Sequence, residues 1–63
     1  MNLQRGSKGF EVIELQQQLN RVGAMLVCDG DFGGGTERAV RYAQDMAELI
    51  VDGVCNQVLQ HWL

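Results

Sequence analysis

From Gly9 to Val22 the apolar residues Val12, Leu15, Leu19 and Val22 fall three, four and three positions apart, with Phe10 and Ile13 beside them. Gln16, Gln17, Asn20 and Arg21 fill much of the remaining surface, so the stretch predicts an amphipathic helix of about four turns. Ser7 carries the hydroxyl of an N-cap, and Gly23 suits the left-handed position that ends a helix. Met25, Leu26 and Val27 follow as a short apolar link, expected to be extended and set against the core. A second periodic run comes after Thr36, with Ala39, Val40, Ala43, Met46 and Ala47 on one stripe; it predicts a second helix capped by Thr36. Val58, Leu59, Trp62 and Leu63 predict a short third helix with Asn56 as its N-cap. The fold class expected from these patterns is all-α, a small three-helix bundle with two Asp-Gly turns.

Those turns repeat. Cys28-Asp29-Gly30-Asp31-Phe32-Gly33 aligns with Val51-Asp52-Gly53-Val54-Cys55-Asn56, which places Gly30 and Gly53 23 residues apart and implies one device used twice.

The stretch from Asp29 to Thr36, DGDFGGGT, holds four of the chain's eight glycines. A phosphate loop of the form Gly-x-x-x-x-Gly-Lys-Ser/Thr needs its lysine; here Gly30 and Gly35 have the spacing, but Thr36 stands in the lysine's place and Asp29 and Asp31 add negative charge. A calcium loop of the EF-hand type counted from Asp29 puts Gly33 fifth and Val40 twelfth, where oxygen ligands belong. Scaffold roles account for every residue instead. Asp29 bonds its downstream backbone, Gly30 supplies a positive φ, Phe32 plugs the core and Thr36 caps a helix. Glycines beside a helix N-terminus also leave amides open to carboxylates or carbonyls.

Length and charge narrow the function. A chain of 63 residues has room for one domain, expected to span residues 1–63, and none for a second core. A hydrophobic fraction of 46% with no proline is a globular composition. The net charge of −3 lacks the basic field that nucleic-acid binding needs, so no nucleic-acid partner is expected. No apolar run approaches the ~18 residues of a membrane span, and MNLQRGSKG has no signal-peptide core, so no membrane partner and no signal peptide are expected. Cys28 and Cys55 match neither a redox CxxC nor a zinc site; they are expected as free thiols, with a disulfide as the alternative in an oxidising compartment. His61 has no partner at ligand spacing and is expected at the surface or near a helix end. No nucleophile, base and orienter can be named together, so neither a catalytic residue nor a cofactor or metal is assigned.

Leu3, Gly6, Ser7, Gly9, Val12, Leu15-Gln16, Leu19 and Gly23, then Asp29-Gly30-Asp31-Phe32-Gly33, Thr36, Ala39-Val40, Gln44, Asp52-Gly53-Val54 and Leu63 together resemble the peptidoglycan-binding domain of the three-helix type. The resemblance covers essentially the whole chain. It departs late: Ala43 stands where the family usually has phenylalanine, Asn56 for a glycine, Gln57 for a common proline and Leu59 for a second threonine. The volume missing at Ala43 is expected from Met46 or Trp62. The resemblance implies a non-catalytic module that targets a cell-wall hydrolase such as a phage endolysin. Its implied partners are glycan strands and stem peptides, with a covalently linked catalytic domain elsewhere in the parent protein, and its implied location is the bacterial cell wall or the periplasm after release. The alternative is a protein-interaction or regulatory module that kept the fold without the ligand site.

A wall binder wants an exposed aromatic for sugar CH faces, an arginine for stem carboxylates and free backbone donors. Arg38, Arg41, Tyr42 and Asp45 lie outside the apolar stripe of the second helix, and with Asp31, Gly33 and Gly34 of the glycine-rich loop they are the candidate peptidoglycan-binding residues. The bland reading of that face is solvated charge, with Glu37 and Arg41, or Arg41 and Asp45, paired one turn apart. Gln16 and Gln44 are family motif residues that can equally bond backbone between helices. Phe32 and Trp62 are expected in the core of so small a domain.

Overall fold

The computed structural model describes residues 2–63 and contains three helices, α1 (Phe10–Arg21), α2 (Gly34–Met46) and α3 (Gln57–Trp62). Val12, Leu15 and Leu19 of α1 meet Val40 and Ala43 of α2 and Leu59 of α3, with Leu3, Phe32 and Cys55 closing the core. Phe32 is 1% exposed, as expected of a large apolar residue in a small domain, and its burial alone is worth about 1.5–3 kcal/mol.

Both long helices end the same way. After α1 the Gly23 amide donates to the Asn20 carbonyl (3.0 Å) and the Ala24 amide to Leu19 (3.2 Å), a paired closure with Gly23 in the left-handed region at φ 100°. After α2 the Glu48 amide donates to Asp45 (3.1 Å) and the Leu49 amide to Gln44 (2.8 Å), but here the left-handed position belongs to Glu48 at φ 58°.

The helix starts differ from the sequence expectation. Ser7 does not cap α1: Gly9 is the N-cap, and the Ser7 hydroxyl accepts from the Gln4 amide at 3.1 Å within a turn of its own. Thr36 does not cap α2 either. The helix begins two residues earlier at Gly34 behind Gly33, and Thr36 sits buried inside the first turn. A glycine run has little helix propensity, so pattern alone starts the helix too late. Asn56 does cap α3, accepting from the Leu59 amide at 3.0 Å.

Several apolar residues expected inside lie outside. Phe10 is 77% exposed, and Met46 and Trp62 are also exposed, at 47% and 42%. In the first link Ala24 and Leu26 pack on the core, whereas Met25 and Val27 face solvent. Ala43 is fully buried, and the exposed Met46 and Trp62 do not supply the volume of a larger side chain there.

The 23-residue repeat is structural as well as sequential. Gly30 and Gly53 have φ of 77° and 78°, Phe32 and Cys55 are both buried, and Gly33 and Asn56 are the N-caps of helices starting at Gly34 and Gln57. Thr36 and Leu59, equivalent in this register, are both buried. The segment before α1 binds the two copies together. The Leu3 and Cys55 backbones exchange hydrogen bonds of 2.9 and 2.7 Å, while Phe32 bonds Ser7 and Gly6, and the Gly9 amide reaches the Gly30 carbonyl at 3.0 Å.

Glu48 in the left-handed region carries a steric cost that glycine lacks. Glu48→Gly is expected to raise stability by about 0.5–1 kcal/mol, a few degrees in a domain of this size, despite the added freedom of the unfolded chain. Thermal unfolding measures it, and a lowered midpoint would contradict the assignment of strain.

Candidate functional site

Each Asp-Gly turn is gripped by a glutamine from the preceding helix. Gln16 of α1 accepts from the Gly30 amide through Oε1 (3.0 Å), and its Nε2 lies within hydrogen-bond distance of Asp29 Oδ1 (3.2 Å), the Asp31 carbonyl (3.2 Å) and Thr36 Oγ1 (3.1 Å). Gln44 of α2 accepts from the Asp52 and Gly53 amides (3.1 and 3.0 Å) and donates to Asp52 Oδ1 (2.8 Å) and the Val54 carbonyl (2.9 Å). Asp29 and Asp52 each accept the amide two residues on, from Asp31 and Val54, at 2.9 Å. Glycine is required inside both grips. A Cβ on Gly30 would lie 3.1 Å from the Gly9 carbonyl and from Ile13, and one on Gly53 would lie 3.1 Å from the Arg41 and Glu37 side chains. Gln16 and Gln44 are therefore 1% and 2% exposed and occupied with scaffold bonds.

These contacts set the two carboxyls' acidity. The Asp29 and Asp52 carboxyls are held below the usual value of 3.8, first by the backbone amide two residues on and then by the clamping glutamine. Asp52 also feels the positive charge of Arg41.

The candidate binding residues are all at or near the surface but do not form one cluster. Arg38 and Tyr42, one turn apart on α2, line a groove of about 420 Å³ with Gly35 and Ala39, facing Gly23, Ala24 and Leu26 of the first link. Tyr42 is 58% exposed. Arg41 instead lies over the second turn beside Gly53. Asp45 is exposed further along α2. Asp31 is exposed and bridges Lys8 through its backbone, and Gly33 and Gly34 open α2. Among the described residues the ion pair on this face joins Glu37 to Arg5 (3.7 Å), rather than Glu37 or Asp45 to Arg41.

A second concavity lies between α1 and α3, about 460 Å³ in volume, with Glu11, Glu14 and Gln18 on one wall and Gln57, Gln60 and His61 on the other. The pattern along the chain does not announce it, because its walls are 46 residues apart (Glu11 to Gln57) and each reads as a solvated helix face. Among the described residues no three His, Cys, Asp or Glu side chains converge as a metal cage. Cys28 and Cys55 are free thiols; burial pushes the Cys55 thiol up to about 11, which keeps it protonated and unreactive at neutral pH.

The family described as "Putative peptidoglycan binding domain" matches residues 8–63. The chain belongs to this family. No curated protein sequence matches it. Among solved structures, the SleB N-terminal domain is 38% identical with a TM-score of 0.93, over 98% of this chain and 86% of that one. A fused zinc-dependent amidase/peptidase and peptidoglycan-binding-domain protein from Clostridium acetobutylicum is 31% identical with a TM-score of 0.96, over 98% of this chain and 28% of that one. A Burkholderia AP3 phage endolysin is 34% identical with a TM-score of 0.90, over 94% of this chain and 23% of that one. This chain is thus similar to a small part of the last two. Within the peptidoglycan-binding family, its late departures leave the frame intact: Asn56 caps α3 and Leu59 is fully buried.

A carboxyl depressed in the folded state stabilises that state when ionised; the contribution is whole above the unfolded-chain value and is lost as pH falls through the folded one. The melting temperature is therefore expected to hold from pH 7 to about 5 and to fall below about 4. The double variant Asp29→Asn, Asp52→Asn keeps both Oδ1 acceptors and should show a shallower acid decline. Identical acid slopes for variant and wild type would show that these turns do not sense pH.

Proposed function

We propose that this domain binds peptidoglycan through the groove between the first link and α2 and carries out no chemistry of its own. The observation that carries this reading is the placement of Arg38 and Tyr42 together over an apolar floor of Ala24, Leu26 and Ala39. An exposed tyrosine ring beside aliphatic side chains suits the CH face of an N-acetyl sugar, and a guanidinium suits a stem-peptide carboxylate in two-pronged fashion. Gly23 and Gly35 keep the rim low enough for a bulky strand to approach. Arg41, Asp45, Asp31, Gly33 and Gly34 do not line this groove and enter the proposal only as further contacts elsewhere on the surface. The domain is taken as residues 1–63, supported by the Leu3 and Gly6 pairings that join the residues before the family match to the core.

Family membership and the likeness to part of an amidase and part of an endolysin support a targeting role beside a covalently linked hydrolase domain, acting at the cell wall or in the periplasm after release. The second reading, a protein-interaction module, draws on Met25, Val27 and Ile50, which are 91%, 78% and 84% exposed on the two links.

Arg38→Ala and Tyr42→Ala should each lower retention on purified sacculi several-fold while circular dichroism stays unchanged, because both side chains lie outside the core. The arginine's share should fade with added salt and the tyrosine's persist. Wild-type retention by both variants would discard this groove, and failure of the wild type on sacculi from any bacterium would favour the interaction module.

A further inference from the structure

The two clamped Asp-Gly units are built alike but differ in length. Gly30 lies 14 residues after Gln16, the glutamine that grips it, and Gly53 lies 9 residues after Gln44. Part of the difference is helix: α1 runs on from Gln16 to Arg21, whereas α2 stops at Met46, just past Gln44. The added turn presents Asn20, one turn beyond Gln16 and on its face. Its counterpart one turn beyond Gln44 is Glu48, already outside the helix. The rest of the difference is link, and the longer link supplies Gly23, Ala24 and Leu26, the wall of the groove that faces Arg38 and Tyr42. Asn20 and that wall therefore belong to the same extra segment.

One side chain ties this segment to α1. Asn20 Oδ1 accepts from the Leu26 amide (2.5 Å), and Nδ2 donates to the Leu26 carbonyl (2.9 Å) and lies 3.4 Å from Cys28 Sγ. Both backbone groups of Leu26 are thus held, and the Ala24 amide is held by the Leu19 carbonyl (3.2 Å). Between these ties Met25 sits in the left-handed region at φ 58°, a costly conformation for a residue with a Cβ. Its side chain is 91% exposed and recovers little of that cost by packing, and Ala24 and Leu26 are only partly buried. The hydrogen bonds of Asn20 are what keep the bend closed. Closed, it carries Leu26 to the first turn of α2, where a Cβ on Gly35 would lie 3.9 Å from Leu26 Cδ2. We propose that Asn20 is the positioning residue of the groove: it holds Leu26, and with it the link wall, at the separation from Arg38 and Tyr42 at which one ligand touches both sides. This role rests on the peptidoglycan reading of the groove. A wall fixed before binding spares the ligand the entropy of ordering it.

The test sets Asn20→Ala beside Asn56→Ala, which removes the α3 cap outside the groove. Both should lower the thermal midpoint. At a temperature where circular dichroism shows each variant folded, Asn20→Ala alone should lose retention on purified sacculi, by about tenfold. Amide exchange followed by NMR supplies a readout that a purely stabilising role would not move. In Asn20→Ala the Leu26 amide should exchange like an exposed loop amide, while the Gly30 amide still exchanges with the helix cores. Wild-type retention by folded Asn20→Ala, an equal loss in Asn56→Ala, or a Leu26 amide that stays protected without Asn20 overturns the proposal. If Asn20→Ala does not fold, Asn20→Asp takes its place; it keeps the acceptor for the Leu26 amide but sets an oxygen against the Leu26 carbonyl, and the same losses are expected. Failure of the wild type itself on sacculi removes the peptidoglycan reading, and exchange at Leu26 then decides the positioning role alone: protection lost with Asn20 upholds it, and protection kept overturns it.

Discussion

A buried glutamine side chain that closes an Asp-Gly turn is the contact on which this fold depends. A primary amide offers two donors and one acceptor in a plane, the complement of a tight turn whose amides point inward and whose aspartate and carbonyl oxygens point back. Gln16 and Gln44 meet this geometry at turns 23 residues apart, and among the described residues no buried side-chain polar atom is left unpaired. With a core built on few large side chains, six-residue α3 could not hold its place by packing alone. The clamps turn two loops into interior structure, and the loops then aim the helices that follow them.

Because the turns are fixed, both surface concavities are fixed. The first turn positions α2 against the link behind α1 and so brings Arg38 and Tyr42 over Leu26. The second turn positions α3 against α1 and so brings His61 and Gln57 opposite Glu11 and Glu14. Neither concavity needs a deep cavity of the kind a catalytic centre requires.

Much of this was legible in the sequence. The spacing of Val12, Leu15 and Leu19 and of Val40 and Ala43 identified two helices and their inward faces, and the Asp-Gly pairs located both turns. The start of α2 was not legible, because the glycines at 33–35 carry no helical signal while Thr36 has the chemistry of a cap and is used instead as a buried acceptor. Trp62 misled through size: hydrophobicity argues for burial, but α3 has one buried residue, Leu59, and its other faces remain open. The strap formed by Leu3, Gly6 and Gly9 was legible only as motif residues of the family resemblance and not from periodicity, since it pairs through backbone and adds one buried side chain, Leu3, to the core. The α1–α3 cleft left no trace, because no local pattern shows that Glu11 and Gln57 will face each other.

Native-state hydrogen exchange at the Gly30 and Gly53 amides tests the central role of the clamps most directly, since each donates to a buried glutamine oxygen rather than to a helix. The account predicts that both amides exchange only through global unfolding, with the same free energy as the slowest amides of α1 and α2 and the same denaturant dependence. Exchange of either glycine as fast as an exposed loop amide, while the helix cores stay protected, would contradict it.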